Sequence, residues 1–312
     1  MIDVFNNTRV YVLCPSNNAT GGVESLHQVA HKFQSLGIDA KMAFYPDVYC
    51  AIQPSYKKYK PVTTDYIDDA AENILIIPEV FIDPMLDEFK KIRKIIWWLS
   101  TENFLKQVTL GSPDLDFIIE RHFYNLVQSE HTSNFLRANN LAVHGYLSGH
   151  INSIFIETEE SEIKKMSNEI VYNPKKGFEF TSRIIAAMPG STWRPIENMT
   201  PLQIKEVLAA SKLYVDFGNH PGRDRLPREA AMMKCCIITG KRGTAAFYED
   251  VPIPSAFKFD EETTDIACIV KKIETCLNDY DHQIQHFSLY HDTVSNEEQK
   301  LVMDLKRIFI PQ

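Results

Sequence analysis

The sequence predicts an α/β protein made of two open, parallel-sheet domains in tandem. Three observations predict it. The chain has 312 residues, more than one ordinary domain needs and enough for two cores. Its apolar runs are short and continuous, as in strands covered on both faces. Strand-like and helix-like segments alternate in both halves, the pattern of βαβ units.

The first half opens with "RVYVLCPS" (Arg9–Ser16), an apolar, β-branched run that reads as a buried strand. In the next segment Gly21-Gly22 precedes Val23, Leu26, Val29, Ala30 and Phe33, spaced for one helical face, and Gly37 is the stop. "IDAKMAFYP" is the second strand, and Asn73–Val80, Lys94–Ser100, "FIIE" and "NLVQSE" continue the series. The acidic stretch Glu157–Asn168 reads as a linker, placing the first domain at 1–160 and the second at 161–285.

The second half restarts with "EIVYNPKKG", a strand and loop, followed by "FEFTSRIIAAMP", helical in part. Thr200, Pro201 and Gln203 form a capping box with Pro at the first helical position. Leu213–Gly218 is a strand, "REAAMMK" a helix and Cys235–Gly240 a strand. The segment 286–312 is a closing helix, with a capping box at Ser295 and Glu298 and an apolar stripe at Leu301, Leu305 and Ile308.

Composition narrows the function. A net charge of −8 does not suit a nucleic-acid binder, which carries a basic face. The six cysteines show neither C-x-x-C spacing nor a companion His pattern, which argues against zinc and a disulfide framework and fits the cytoplasm. The apolar cluster at Ile95–Leu99 is far shorter than a membrane span, and a peripheral membrane contact stays open.

The chemistry concentrates in "HPGRDRLPREAA" (His220–Ala231), between a strand and a helix. A helix start there offers unpaired N–H groups and a positive dipole end, and Arg223, Arg225 and Arg228 add charge: together an anion site. Glu229 can accept hydrogen bonds from sugar hydroxyls. Elsewhere, Asp114 and Asp116 have D-x-D spacing but precede an apolar run, so they read as a turn or cap. His27 and His31, at i and i+4, read as a partly exposed helix face. Trp97 and Trp98 point to opposite faces of one strand and read as core.

The order "YNPKKG … TPLQIKEVLAASKLYVDFG … HPGRDRLPREAAMMKCCIITGKRGTAAFYED" resembles the C-terminal domain of GT-B glycosyltransferases, in particular the retaining enzymes of family four. In the first half Gly21-Gly22 and "LVQSEHTSNFLRANN" are similar to that family too. The resemblance implies two Rossmann-like domains facing a cleft, a donor bound by the second, an acceptor by the first, and closure that assembles the site. It implies that Glu229 binds the ribose, Lys175 or Lys176 the phosphates, and that Gly243, Thr244, Gly21 and Gly22 line the donor. The first Glu of the family's pair falls on Pro221, "LPREA" is one residue shorter than the usual L-P-x-x-E-A, and the arginine usual after the first C-domain strand is absent near "VYNP". His220, Arg223 and Asp224 occupy the place where the family contacts the transferred sugar, which points to an unusual donor and leaves the stereochemical outcome open.

Cleaving a sugar from a phosphate needs positive charge where negative charge develops, which Lys, Arg and backbone N–H groups supply without a metal. An inverting reaction also needs a base, for which Glu102 and Asp224 are candidates, and His220 is counted with them as catalytic. The expectation is a cytoplasmic, metal-independent glycosyltransferase with no cofactor beyond its nucleotide-sugar co-substrate. Its acceptor would be a saccharide or lipid-linked glycan, as in bacterial-type surface polysaccharide synthesis. A nucleotide-sugar epimerase, a phosphosugar transferase and a catalytically silent partner subunit are the alternatives.

Overall fold

The computed structural model describes residues 1–312 and resolves them into two compact units, residues 1–150 with 298–312, and residues 151–297. Strand and helix alternate in the first unit: β1 Ile2–Val4, β2 Arg9–Pro15, α1 Gly21–Ser35, β3 Asp39–Tyr45, β4 Thr63–Thr64, β5 Ile74–Pro78 and β6 Arg93–Trp98. Then come α2 Thr101–Thr109, α3 Leu115–Arg121, β7 Tyr124–Val127, α4 Glu130–Ala138 and β8 Gly145–Tyr146. The second unit contains α5 Ser153–Ile156, β9 Ser167–Tyr172, α6 Phe178–Ala187, β10 Trp193–Pro195, α7 Pro201–Ala210, β11 Ser211–Asp216, α8 Arg225–Met232 and β12 Cys236–Thr239. It closes with α9 Ile266–Asn278, α10 Tyr280–Gln283 and α11 Ser288–Ser295. Helix α12, Glu297–Ile308, begins on the last residue of the second unit, and β13, Phe309–Pro311, ends the chain.

Every strand pairing is parallel. The first unit's main sheet has the order β4-β3-β2-β5-β6-β7-β8, and the second unit's has β10-β9-β11-β12. In each unit the chain reverses its direction of winding once, between β2 and β5 and between β9 and β11. The connections to either side of such a point diverge, leaving a crevice at the carboxyl ends of the strands.

The local reasons lie in the sequence. Strands β5 and β6 are buried on both faces: Trp97 joins the core under α1, Trp98 the core under α2 and α4, and both are fully buried. Thr200 and Gln203 close the capping box of α7, with Pro201 in its first turn. Asp114 caps α3 through the Asp116 N–H. No helix is long and apolar enough to cross a membrane.

Several expectations need correction. "FIIE" is not a strand: Phe117–Glu120 lie in α3, because the Asp114 cap starts a helix that buries Ile118 and leaves Ile119 exposed. The chain crosses between units at 150/151 rather than 160, because Ile151 and Phe155 are buried in the second unit's core. The segment 286–312 is not one closing helix. Its α11 belongs to the second unit, whereas Leu301, Leu305 and Ile308 of α12 fill the first unit's core and β13 pairs with β1. Ser295 caps nothing, since its hydroxyl donates to the Asp292 carbonyl at the end of α11, while Glu298 pairs with Lys32. His27 is buried, its ring 4.7 Å from that of Tyr56, and burial pushes its pKa down to about 4.

One buried carboxyl makes the first unit sensitive to pH. Glu79, just after β5, accepts the Leu99 N–H at 2.9 Å, and burial pushes its pKa up to about 8. A carboxyl raised in the folded state contributes full stability below its unfolded value near 4.5 and loses it as pH rises through about 8. Wild-type stability is therefore expected to fall relative to Glu79→Gln by on the order of 2–4 kcal/mol between pH 5 and pH 8. Urea denaturation at both values checks this, and an equal difference between the two proteins at each pH would refute it.

Candidate functional site

Three loops meet at the carboxyl edge of the second unit's sheet, after β9, β11 and β12. They approach so closely that side chains would not fit. Gly177 sits at φ +58, and a Cβ there would lie 1.6 Å from the Phe217 carbonyl oxygen. Gly243, at φ +61, would place one 2.1 Å from the His220 carbonyl oxygen. Both positions need glycine for conformation and for space. The sequence pattern reads Gly243 as part of a donor-lining loop, and the structure shows what its backbone does: residues 220 and 243 form a parallel bridge, and the Thr244 N–H donates to the His220 carbonyl at 2.9 Å.

These contacts set the predicted residues in place. Lys176 reaches across the winding reversal from the β9 loop and pairs with Asp224, the residue that precedes α8. Lys175 is exposed, its backbone N–H held by the Asn173 side chain at 3.0 Å. Arg225 is half-buried in the first turn of α8, and Glu229 is buried one turn further on. The Asp224 side chain makes no capping bond to α8, so its carboxylate stays turned toward Lys176.

Other predicted residues are engaged internally. Arg223 and Arg228 each place a guanidinium nitrogen 2.8 Å from the buried Glu297 carboxylate, and that carboxylate also accepts the Ile151 N–H at 3.3 Å. The Thr244 hydroxyl donates to the Gly222 carbonyl at 2.8 Å. The gap enclosed by His220, Arg223, Arg228, Thr244 and Tyr290 is only about 10 Å³, room for about one water and far too small for a sugar or a nucleotide. A ligand would therefore meet the outer side of this loop, through Lys176, Asp224 and the start of α8. Beside Gly177 opens a cavity of about 610 Å³, lined by Phe180, Arg183, Arg242 and Glu261 among others, a volume within the range of small-molecule sites.

Beneath the loop lies a buried polar chain that sequence reasoning missed. The Tyr214 hydroxyl donates to Asp216 at 2.6 Å, and Asp216 faces the imidazole of His220. Burial pushes the Asp216 carboxyl up, and the His220 ring opposes that shift. The Tyr214 hydroxyl is raised well above its ordinary value by burial and by the carboxylate beside it. A carboxylate inside the apolar run "LYVDF" was the available signal. Glu297 had none, being about 70 residues from its arginines in sequence.

In the first unit, Gly21 and Gly22 open α1 at the carboxyl edge of the main sheet, with Thr20 as the N-cap. A Cβ on Gly22 would make an ordinary 3.4 Å contact with Leu99, so no steric demand requires glycine there. Glu102 stands in the first turn of α2, its carboxylate 3.0 Å from Nε2 of His131 in the first turn of α4. His131 was not foreseen, since only the fold brings residues 102 and 131 together. No group of three or more His, Cys, Asp or Glu side chains is placed to hold a metal ion.

No protein-family model matches the chain, and no curated protein sequence does. Solved structures match it in fold. HepE of Anabaena, in complex with UDP-glucose, aligns with a TM-score of 0.66 at 11% identity over 96% of this chain and 98% of that one. A sucrose-phosphate synthase of Thermosynechococcus elongatus gives 0.59 at 10% identity over 97% and 96%. WaaG, a glycosyltransferase involved in lipopolysaccharide biosynthesis, gives 0.55 at 11% over 94% and 98%. These neighbours are GT-B glycosyltransferases, and the chain has the GT-B fold of two Rossmann-like domains.

Glu297 is the residue whose loss should tell most about this loop. Glu297→Ala strands two buried guanidinium groups, and removing one partner of a buried ion pair costs about 3–5 kcal/mol. Chemical denaturation should show a loss of that size. A loss under about 1 kcal/mol would mean that the arginines find other partners at no cost.

Proposed function

We propose that the protein is a glycosyltransferase that moves a sugar from a nucleotide-activated donor to a saccharide or lipid-linked glycan acceptor. The observation that carries this reading is the convergence, at the winding reversal of the second unit, of Lys176, Asp224, the first turn of α8 and the buried Glu229. That edge is where open parallel sheets bind ligands, and the convergence joins cationic charge for a diphosphate to carboxylates for sugar hydroxyls. The GT-B fold shared with HepE and WaaG supports it.

In this reading the second unit binds the donor and the first the acceptor. The bond from C1 of the sugar to the diphosphate breaks and its electron pair leaves with the phosphate. The acceptor hydroxyl oxygen bonds to C1, and its proton passes to a general base. Lys176 and the positive dipole end of α8 meet the charge developing on the diphosphate, so the step does not call on a metal. Asp224 faces the positive charge developing at C1. The likeness in fold to WaaG, a glycosyltransferase involved in lipopolysaccharide biosynthesis, supports an acceptor of the surface-polysaccharide kind.

A second reading has its own observation. Glu297 already pairs with both Arg223 and Arg228, as would suit a chain that binds a nucleotide or a protein partner without turnover.

Thermal-shift titration with UDP, GDP, CMP and their sugars decides between these. One nucleotide is expected to stabilise the protein by about 2.7 kcal/mol at a hundredfold excess over its Kd. Glu229→Ala and Lys176→Ala should each weaken that binding by about tenfold or more. The reading falls if no nucleotide binds or if both variants bind normally. Turnover that requires an acceptor marks a transferase, a donor altered without acceptor marks an epimerase, and binding with no turnover marks the silent chain.

A further inference from the structure

Four side chains of the second unit form a graded path from the interior to the surface. Exposure rises along it, from 0% at the Asp216 side chain and 1% at His220 to 20% at Asp224 and 30% at Lys176. Asp216 Oδ1 lies 3.8 Å from Nε2 of His220, and Asp224 Oδ2 lies 3.5 Å from Nδ1 of the same ring. The oxygen of Asp224 that faces the ring also takes the Lys176 ammonium. Neither ring nitrogen makes a hydrogen bond, and the imidazole lies between two carboxyl groups.

The backbone of His220 cannot follow its ring. It is bridged to Gly243, and its carbonyl accepts the Thr244 N–H. Only the side chain is left to adjust, and Asp216 faces it from below. That carboxylate ends a strand whose neighbours Val215, Ile237 and Ile238 are fully buried. An apolar residue would fill the position without the several kcal/mol that burying a carboxylate costs, so packing does not explain an Asp here. Tyr214 fixes its other oxygen.

We infer that Asp216 is a positioning residue for the transfer: through His220 it sets where the Asp224 carboxylate stands at the donor. This rests on the glycosyltransferase reading above. Asp224 touches the donor, whereas His220, buried in this structure, acts through Asp224.

The test uses the full chain with the nucleotide sugar that stabilises it best. Asp216→Asn is expected to bind that nucleotide sugar within about threefold of wild type and to keep its KM for the donor, while kcat falls about 10- to 100-fold, the scale of a misplaced reacting group. Asp216→Asn/Asp224→Asn should lose no more than Asp224→Asn alone, because both act on one path. The ring nitrogens of His220 should shift in the ¹⁵N spectrum of Asp216→Asn, a change that loss of packing elsewhere would not produce. His220→Asn interrupts the path from its middle and should reproduce the kcat loss. The assignment is overturned if Asp216→Asn or His220→Asn turns over at the wild-type rate, if the losses multiply in the double variant, or if the ring resonances stay unmoved. An active wild type with an equally active Asp216→Asn sinks this assignment alone; a wild type that neither binds nor turns over a nucleotide sugar sinks the reading beneath it as well.

Discussion

The carboxylate of Glu297 is the interaction around which the second unit's functional edge is arranged. Burying a carboxylate is unfavourable unless its charge and lone pairs are met. Here they are met by Arg223 of the β11–α8 loop, by Arg228 of α8 and by the first N–H of the unit, at Ile151. The loop is thereby committed. With Arg223 and Arg228 turned inward, its outward face is left to Asp224, Arg225 and the α8 start, with Lys176 reaching in from the β9 loop. A loop that looks from its composition like a cluster of three phosphate-binding arginines is, in the folded chain, an ion-pair core with a smaller polar face.

The same arrangement explains why the three loops can come so close. Gly177 and Gly243 let backbone touch backbone where any side chain would collide, and the carbonyls brought together find donors in the Thr244 N–H and hydroxyl. Loops that satisfy one another's backbone groups hold a site more firmly than loops bonded to water. Lys176 and Asp224, 48 residues apart in sequence, can then meet without either side chain having to order a mobile segment.

Much of the fold was legible because it is written in local patterns. The continuous run around Trp97 and Trp98, the capping box at Thr200 and the stripe at Leu301, Leu305 and Ile308 each follow from the spacing of neighbouring residues. Errors arose where two local patterns compete. "FIIE" is as apolar as a strand, and only the helix cap at Asp114 decides for a helix. The acidic stretch after Glu157 looks like a linker, but the apolar residues before it already belong to the second core. Of the site, its place after β11 and its residue types were legible, because charges crowded between a strand and a helix are uncommon.

The sequence by itself determined the class of fold, the order of its strands and helices, and the loop where charge gathers, since all of these depend on residues within a few positions of one another. Only the tertiary structure decided which of those charges face outward. Glu297 reaches Arg223 and Arg228, and Glu102 reaches His131, because the fold brings together segments that are far apart in sequence. No spacing rule encodes that proximity, and in a low-dielectric interior it determines which charges are neutralised and which remain for a ligand.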